Sequence, residues 1–243
     1  MCRDVGHTKG MTSGAEQILN GVGENDYQRY IRTQELLALQ PDPASWVHRD
    51  ELLFTVVHQT SELWLKLAAS EVTYTLALLD ENRIRPALRH LNRVQMCVRS
   101  CIEALDMLEQ MSPWDYQQVR KALGHGSGFD SPGFNLIRTM MPVLGSRLEG
   151  LLATAGLTLE TLFVDHLDHD DLFDLAESLM TLDELFIEWR DRHFRVVERT
   201  IGLHVKGTQG TPVEVIGGLR DRQFFPAMWN VRSALSNLAD ERL

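Results

Sequence analysis

His58 and His193 are the residues whose type and setting best suit chemistry. His58 stands one helical turn after Phe54 in a stretch otherwise built of Leu, Val and Trp, and His193 stands between Trp189 and Val196 in a second apolar repeat. Taken singly, an imidazole on an apolar helical stripe reads as a core histidine satisfied by its neighbours more readily than as a ligand held inward, and two of them on separate long helices add weight to the ligand reading. Helical bundles build cofactor sites from the inward side chains of facing helices, and one imidazole suffices to hold haem iron from one side. Phe54, Trp189 and the surrounding leucines suit a flat apolar macrocycle, while Arg190, Arg192 and Arg195 beside His193 offer partners for carboxylates on its rim. Ordinary Arg/Asp pairing on a solvated face is the competing reading of those arginines.

Other groupings carry less. Asp165, His166, Asp168, His169, Asp170 and Asp171 resemble a zinc or di-iron cluster, but acids are expected at the start of a helix, where its dipole favours negative charge. Di-iron bundles also want Glu-x-x-His on two helices, and the chain has none. Cys97 and Cys101 lie one turn apart without further ligands nearby, which reads as two small buried apolar residues. Gly124-His125-Gly126-Ser127-Gly128 lacks the Gly-Lys-Ser/Thr ending of a phosphate loop and follows a helix rather than a strand.

The elements that must position these groups are helices. Residues 1–23 are rich in Gly, Ser and Thr and read as a mobile arm, ahead of a single all-helical domain over 24–243. Tyr27, Tyr30, Ile31 and Gln34 predict a short helix closed by Pro41 and Pro43. Apolar spacing predicts long helices from Arg49 to about Asp80, from Arg85 to Met111, and through Leu172, Leu175, Leu179, Leu182, Phe186 and Trp189 to Val196. Ser112-Pro113-Trp114-Asp115 supplies an N-cap, a proline at N1 and an early acid, so a short helix should run to Leu123. Ser131-Pro132 opens another that Pro142 should interrupt, and a last short helix is expected near Val213 to Leu219. No segment alternates with period two. The fold class is all-α, a bundle framed by three long helices, which would enclose a haem pocket if the two histidines are ligands.

Composition narrows the function classes. With 243 residues the chain can bury a core without disulfides or a structural metal. Its net charge of -10 argues against wrapping nucleic acid or adsorbing to anionic lipid. Three cysteines, no apolar leader and no stretch long enough to span a bilayer point to a cytoplasmic protein.

Four ordered segments resemble tryptophan 2,3-dioxygenases, haem enzymes that open the indole ring. They are HQTSELWLK from His58, YQQVRKALGHGSGF from Tyr116 to Phe129, WRDRHFR over 189–195, and KGTQGT over 206–211 followed by FFPAMWNVRS over 224–233. The resemblance implies haem b with O2 as co-substrate, His193 as the proximal iron ligand and His58 as the distal histidine that meets the indole N–H. It implies further that Arg120 holds the amino-acid carboxylate and that Tyr116 adds a hydroxyl. Thr208 would contact the carboxylate or the ammonium, and Phe54, Leu123, Ser127 and Gly128 would line the pocket. Tyr27, Tyr30 and Ile31 match residues given to a neighbouring subunit's pocket, which implies a homo-oligomer, a tetramer or dimer.

The implied reaction is oxygen insertion at the indole C2–C3 bond of L-tryptophan or a substituted tryptophan, giving an N-formylkynurenine-type product. This sequence departs from the family at Leu105, where tryptophan is common, at Gly124–Gly128 in place of Gly-Pro-Ser-Ser-Gly, and at 207–211 in place of Gly-Thr-Gly-Gly-Ser. It is also short between Gly128 and Trp189. Because these changes touch the lid, two alternatives accompany the dioxygenase reading. One is a monooxygenase converting a β-methyltryptophan to a hydroxylated or 2-oxindole product in natural-product biosynthesis, and the other is a haem or tryptophan sensor without turnover.

Overall fold

The computed structural model describes residues 18–242, so most of the expected arm over 1–23 lies outside the described residues. The chain divides into two compact units, one ending at Asp42 and one beginning at Pro43. In the first, α1 (Asp26–Ile31) starts at Asn25, whose side chain accepts from the Gln28 N–H, and α2 (Thr33–Leu37) follows after Arg32 turns the chain at φ 59°. The Asp26 carboxylate accepts from the backbone of Ile18 and Leu19, tying that segment to α1.

The second unit is built on α3 (Glu51–Asp80), α4 (Ile84–Leu108), α6 (Pro132–Ala155) and α8 (Asp170–Thr200), with α5 (Pro113–Ala122), α7 (Leu159–Val164), α9 (Val213–Gly217) and α10 (Pro226–Arg242) between and after them. Helix α3 packs on α4 and α6, and α8 closes the bundle against α4 and α6. Val72, Leu91, Val94, Leu144, Leu175, Leu179 and Leu182 are completely enclosed where they meet. Burial of such side chains is worth about 1.5–3 kcal/mol each, which is what holds the long helices in register. Cys97 and Cys101 belong to this core, and burial pushes the Cys101 thiol up to about 12, so both act as packing groups.

Two expectations are corrected. Pro142 does not interrupt its helix: α6 is continuous for 24 residues and makes a fourth long helix. Proline removes the hydrogen bond to the carbonyl four residues back, but Arg138 and Pro142 are both exposed, so the freed carbonyl is open to solvent. Ile137, Met141, Leu144, Leu148 and Leu152 keep the opposite stripe buried throughout. A further helix, α7, precedes the acidic cluster over 165–171. The chain does not end its helices near Leu219 either, since α10 runs for 17 residues from Pro226. Among its described residues Met228 and Val231 are buried, and Trp229 packs against the core.

The start signals at Ser112-Pro113 and Ser131-Pro132 are both realised as side-chain caps. Among the described residues there is no strand, only an isolated antiparallel bridge between Lys206 and Pro212, and no helix is long and apolar enough to cross a membrane.

Candidate functional site

Helices α3, α5, α6 and α8 and the loops after α5 and α8 enclose one cavity of about 620 Å³. Its wall includes Phe54, His58, Tyr116, Leu123, Ser127, Gly128, Thr208 and His193, so eight of the residues singled out from sequence come together there. Leu108, Met111, Ile137, Phe186, Val196 and Leu219 make much of the remaining surface apolar.

The two histidines are presented differently. On α3, His58 Nδ1 lies 2.7 Å from the Phe54 carbonyl oxygen, and a carbonyl can only accept, so the proton of the neutral ring sits on Nδ1. Nε2 is left as an acceptor. Burial lowers the His58 pKa, while the bond to Phe54 and the nearby Glu62 charge act in the opposite sense. The ring is crowded by Phe54 at 4.0 Å between centroids, and Phe54 in turn lies 6.2 Å from Tyr116.

On α8, His193 is stacked on Trp189, one turn earlier, with centroids 4.9 Å apart and planes 8° from parallel, and Trp189 leans on Phe134 of α6 at 3.9 Å. Burial first, and the His58 ring second, push the His193 pKa down to about 4. No described protein group hydrogen-bonds this imidazole. It is neutral at physiological pH and held against Trp189 inside a cavity, and the neutral ring is the form that can ligate a metal.

Cations and acids are distributed unevenly. Of the three arginines beside His193, Arg190 lines the cavity, whereas Arg192 pairs with Asp106 and Glu109 and Arg195 with Asp191 and Glu198. The expectation that all three could meet bound carboxylates is therefore corrected to Arg190, joined by Arg138 and by Arg222 from beyond α9. Arg120 lies outside the cavity lining; one of its nitrogens donates to the Lys206 carbonyl at 2.8 Å, clasping the 206–211 loop to α5. Tyr27, Tyr30 and Ile31 belong to the first unit, where their side chains are exposed.

That loop is shaped by Gly210 at φ 77°, which L side chains rarely adopt, and by the Gly207 N–H bond to the Thr211 carbonyl at 2.8 Å. The Thr208 hydroxyl donates to the Gly126 carbonyl, and Gln209 Nε2 donates to Asp130 at 2.7 Å. With the Arg120 bond, these contacts join the 206–211 loop to the loop that follows α5.

Several residues that sequence patterns did not bring forward support the site. Glu62, one turn after His58, accepts from the Ser131 hydroxyl and from the Gly133 N–H at 3.0 Å, joining α3 to the start of α6. Gly133 permits this approach, because a Cβ there would come within 2.6 Å of the Glu62 carboxylate and 2.7 Å of Leu65. Asp183 of α8 is fully buried and accepts from the backbone of Phe224 and Phe225 and from Trp229 Nε1. The cluster over Asp165–Asp171 does not converge: among the described residues no three metal-ligating side chains gather, and Asp171 pairs with Arg85 at 2.6 Å.

The family model described as tryptophan 2,3-dioxygenase matches residues 11–149 and 141–235. A tryptophan 2,3-dioxygenase of Erythrobacter litoralis is 31% identical over 260 aligned positions, covering 86% of this chain and 98% of that protein. One from Bradyrhizobium sp. (strain ORS 278) is 30% identical, covering 92% and 97%, and one from Bacillus anthracis is 29% identical, covering 86% and 92%. The two matched pieces meet at residues 141–149, within the stretch that is short by the family pattern and where α6 runs on unbroken. With the match extending across nearly all of the second unit and its cavity, the chain belongs to the tryptophan 2,3-dioxygenase family.

Proposed function

We infer that the protein is a haem-dependent dioxygenase that adds both atoms of O2 across the indole C2–C3 bond of L-tryptophan, yielding N-formylkynurenine. The observation that carries this reading is the neutral, unpartnered imidazole of His193 fixed in a large apolar cavity that also holds His58. These residues fit haem b: His193 would ligate the iron, and Arg138, Arg190 and Arg222 would meet the propionate carboxylates. Bound haem would supply a ferrous iron that activates O2.

The protein's own part is placement. His58 Nε2, left as an acceptor, takes the hydrogen bond of the indole N–H. Arg120 receives the amino-acid carboxylate with the part of its fork not committed to Lys206, and Tyr116 stands one turn away with its hydroxyl kept protonated by burial. Fixing the indole at both ends turns an encounter into an oriented reaction, the contribution expected of positioning groups. The 206–211 loop, tied to Gly126 and Asp130, keeps bulk water from the reacting face. The setting is a cytoplasmic homo-oligomer, with exposed Tyr27, Tyr30 and Ile31 offered to a neighbouring subunit.

The test is the mass of the product made from L-tryptophan under O2 by the reduced, haem-loaded protein. A gain of two oxygen atoms is expected; a gain of one, or a protein that takes up no haem, would overturn the reading. A second expectation follows from His58. Its pKa lies below the ordinary 6.5, so the neutral, accepting ring persists as the pH falls through that value, and kcat/KM should decline only at more acidic pH. A decline on the acid side that sets in above pH 6.5 would contradict the assignment.

A further inference from the structure

We propose that Asp130 is the anionic partner of the substrate's α-ammonium group, held in place by Ser127 and Gln209. The proposal rests on the reading that the cavity takes an amino acid. Two carboxylates line the cavity, Glu62 and Asp130. Glu62 has both oxygens engaged, one by the Ser131 hydroxyl and the other by the Gly133 N–H. Asp130 differs. Its Oδ2 accepts from the Ser127 N–H at 3.0 Å and from Gln209 Nε2 at 2.7 Å, which fixes the carboxylate, while Oδ1 has no hydrogen-bond partner and the group enters no ion pair among the described residues.

The neighbouring Thr208 adds to this. Its hydroxyl proton is directed to the Gly126 carbonyl, which leaves the oxygen only its lone pairs to offer. The loops after α5 and α8 therefore present two acceptors, Asp130 Oδ1 and Thr208 Oγ1. An ammonium carries three donors and no acceptor, so it matches this pair, whereas a carboxylate would be repelled by Asp130. Arg120, assigned to the carboxylate, is bonded to the same loop through the Lys206 carbonyl, so an amino acid's two charges are met by different groups, the Arg120 guanidinium and the Asp130 carboxylate. Gln209 touches the ligand through Asp130 and is a positioning residue.

Calorimetric binding to the haem-loaded protein distinguishes the possibilities, with L-tryptophan and indole-3-propionate, which lacks the ammonium, as the two ligands. Asp130→Asn keeps the shape and one acceptor oxygen, and should weaken L-tryptophan by about tenfold or more, as for loss of a charge-assisted hydrogen bond, while changing indole-3-propionate by less than about twofold. Gln209→Ala should show the same selectivity with a smaller loss. Equal weakening of both ligands by Asp130→Asn, or unchanged tryptophan affinity, overturns the proposal and leaves the amino-acid reading standing. Wild-type protein that binds neither ligand overturns that reading and the proposal with it.

Discussion

His193→Ala should leave the protein unable to hold haem in a defined ligation state, with the Soret band lost or displaced and activity reduced by more than the roughly 100-fold seen when only the partners of a metal ligand are removed. The reason lies in the environment of the ring. An imidazole enclosed in an apolar wall loses its charge, which is why its pKa falls to about 4, and the neutral ring then has a lone pair to give. Trp189 and Phe134 hold the ring plane, so the ligand is oriented before any metal arrives. Exogenous imidazole should enter the space left by the substitution and restore the band. His58→Ala provides the contrast: haem uptake persists while turnover is lost, because the role assigned to His58 is toward the indole. A His193→Ala protein with the wild-type spectrum would refute the assignment.

The same pKa has a consequence for the haem-free protein. The unfolded chain takes up a proton at His193 near pH 6.5, whereas the folded one resists until about 4, so stability contributed by the neutral ring is lost as the pH falls through that interval. His193→Ala removes this dependence. Its stability relative to wild-type apoprotein should therefore rise as the pH is lowered from 6.5 to 4.

What could be read from the sequence was whatever depends on local spacing. His58 and His193 were visible because an imidazole interrupts an apolar repeat, and α3, α4 and α8 because those repeats are long. Ser112 and Ser131 were visible because cap chemistry is confined to neighbouring residues. Pro142 misled because the helix-breaking rule is local, while the exposure that neutralises it is set by how α6 lies on the bundle. Glu62 was passed over inside a recognised motif because its partners, Ser131 and Gly133, are far away in the chain, at separations of 69 and 71. Arg120 was correctly placed on α5, but its bond to Lys206 depends on the path of a distant loop.

Asp183 is the most costly of these omissions, and Asp183→Ala should lower the stability of the protein by about 3–5 kcal/mol, the loss expected when several buried donors are deprived of their shared acceptor. It stands four residues after Leu179 on α8, where an apolar residue would continue the core, and its use became apparent only with α10, whose start it organises. One carboxylate oxygen accepts from Phe224 N–H, Phe225 N–H and Trp229 Nε1 at 2.9, 3.0 and 3.1 Å, and the other accepts from Phe224 at 2.9 Å. Alanine leaves these donors without a partner, at about 1–3 kcal/mol for each that water cannot reach. For a chain of this size the loss corresponds to roughly 10 °C in Tm. Asp183→Asn retains one acceptor oxygen and should lose less. The damage reaches the cavity as well, since Phe224 lines it and lies under the Arg190 guanidinium at 4.7 Å, and the Asp183 charge supports the protonated state of Arg190 against burial and Arg222. Haem retention should therefore weaken in parallel with the urea midpoint. An Asp183→Ala protein within about 1 kcal/mol of wild type would mean that the Phe224–Trp229 turn is held by packing alone.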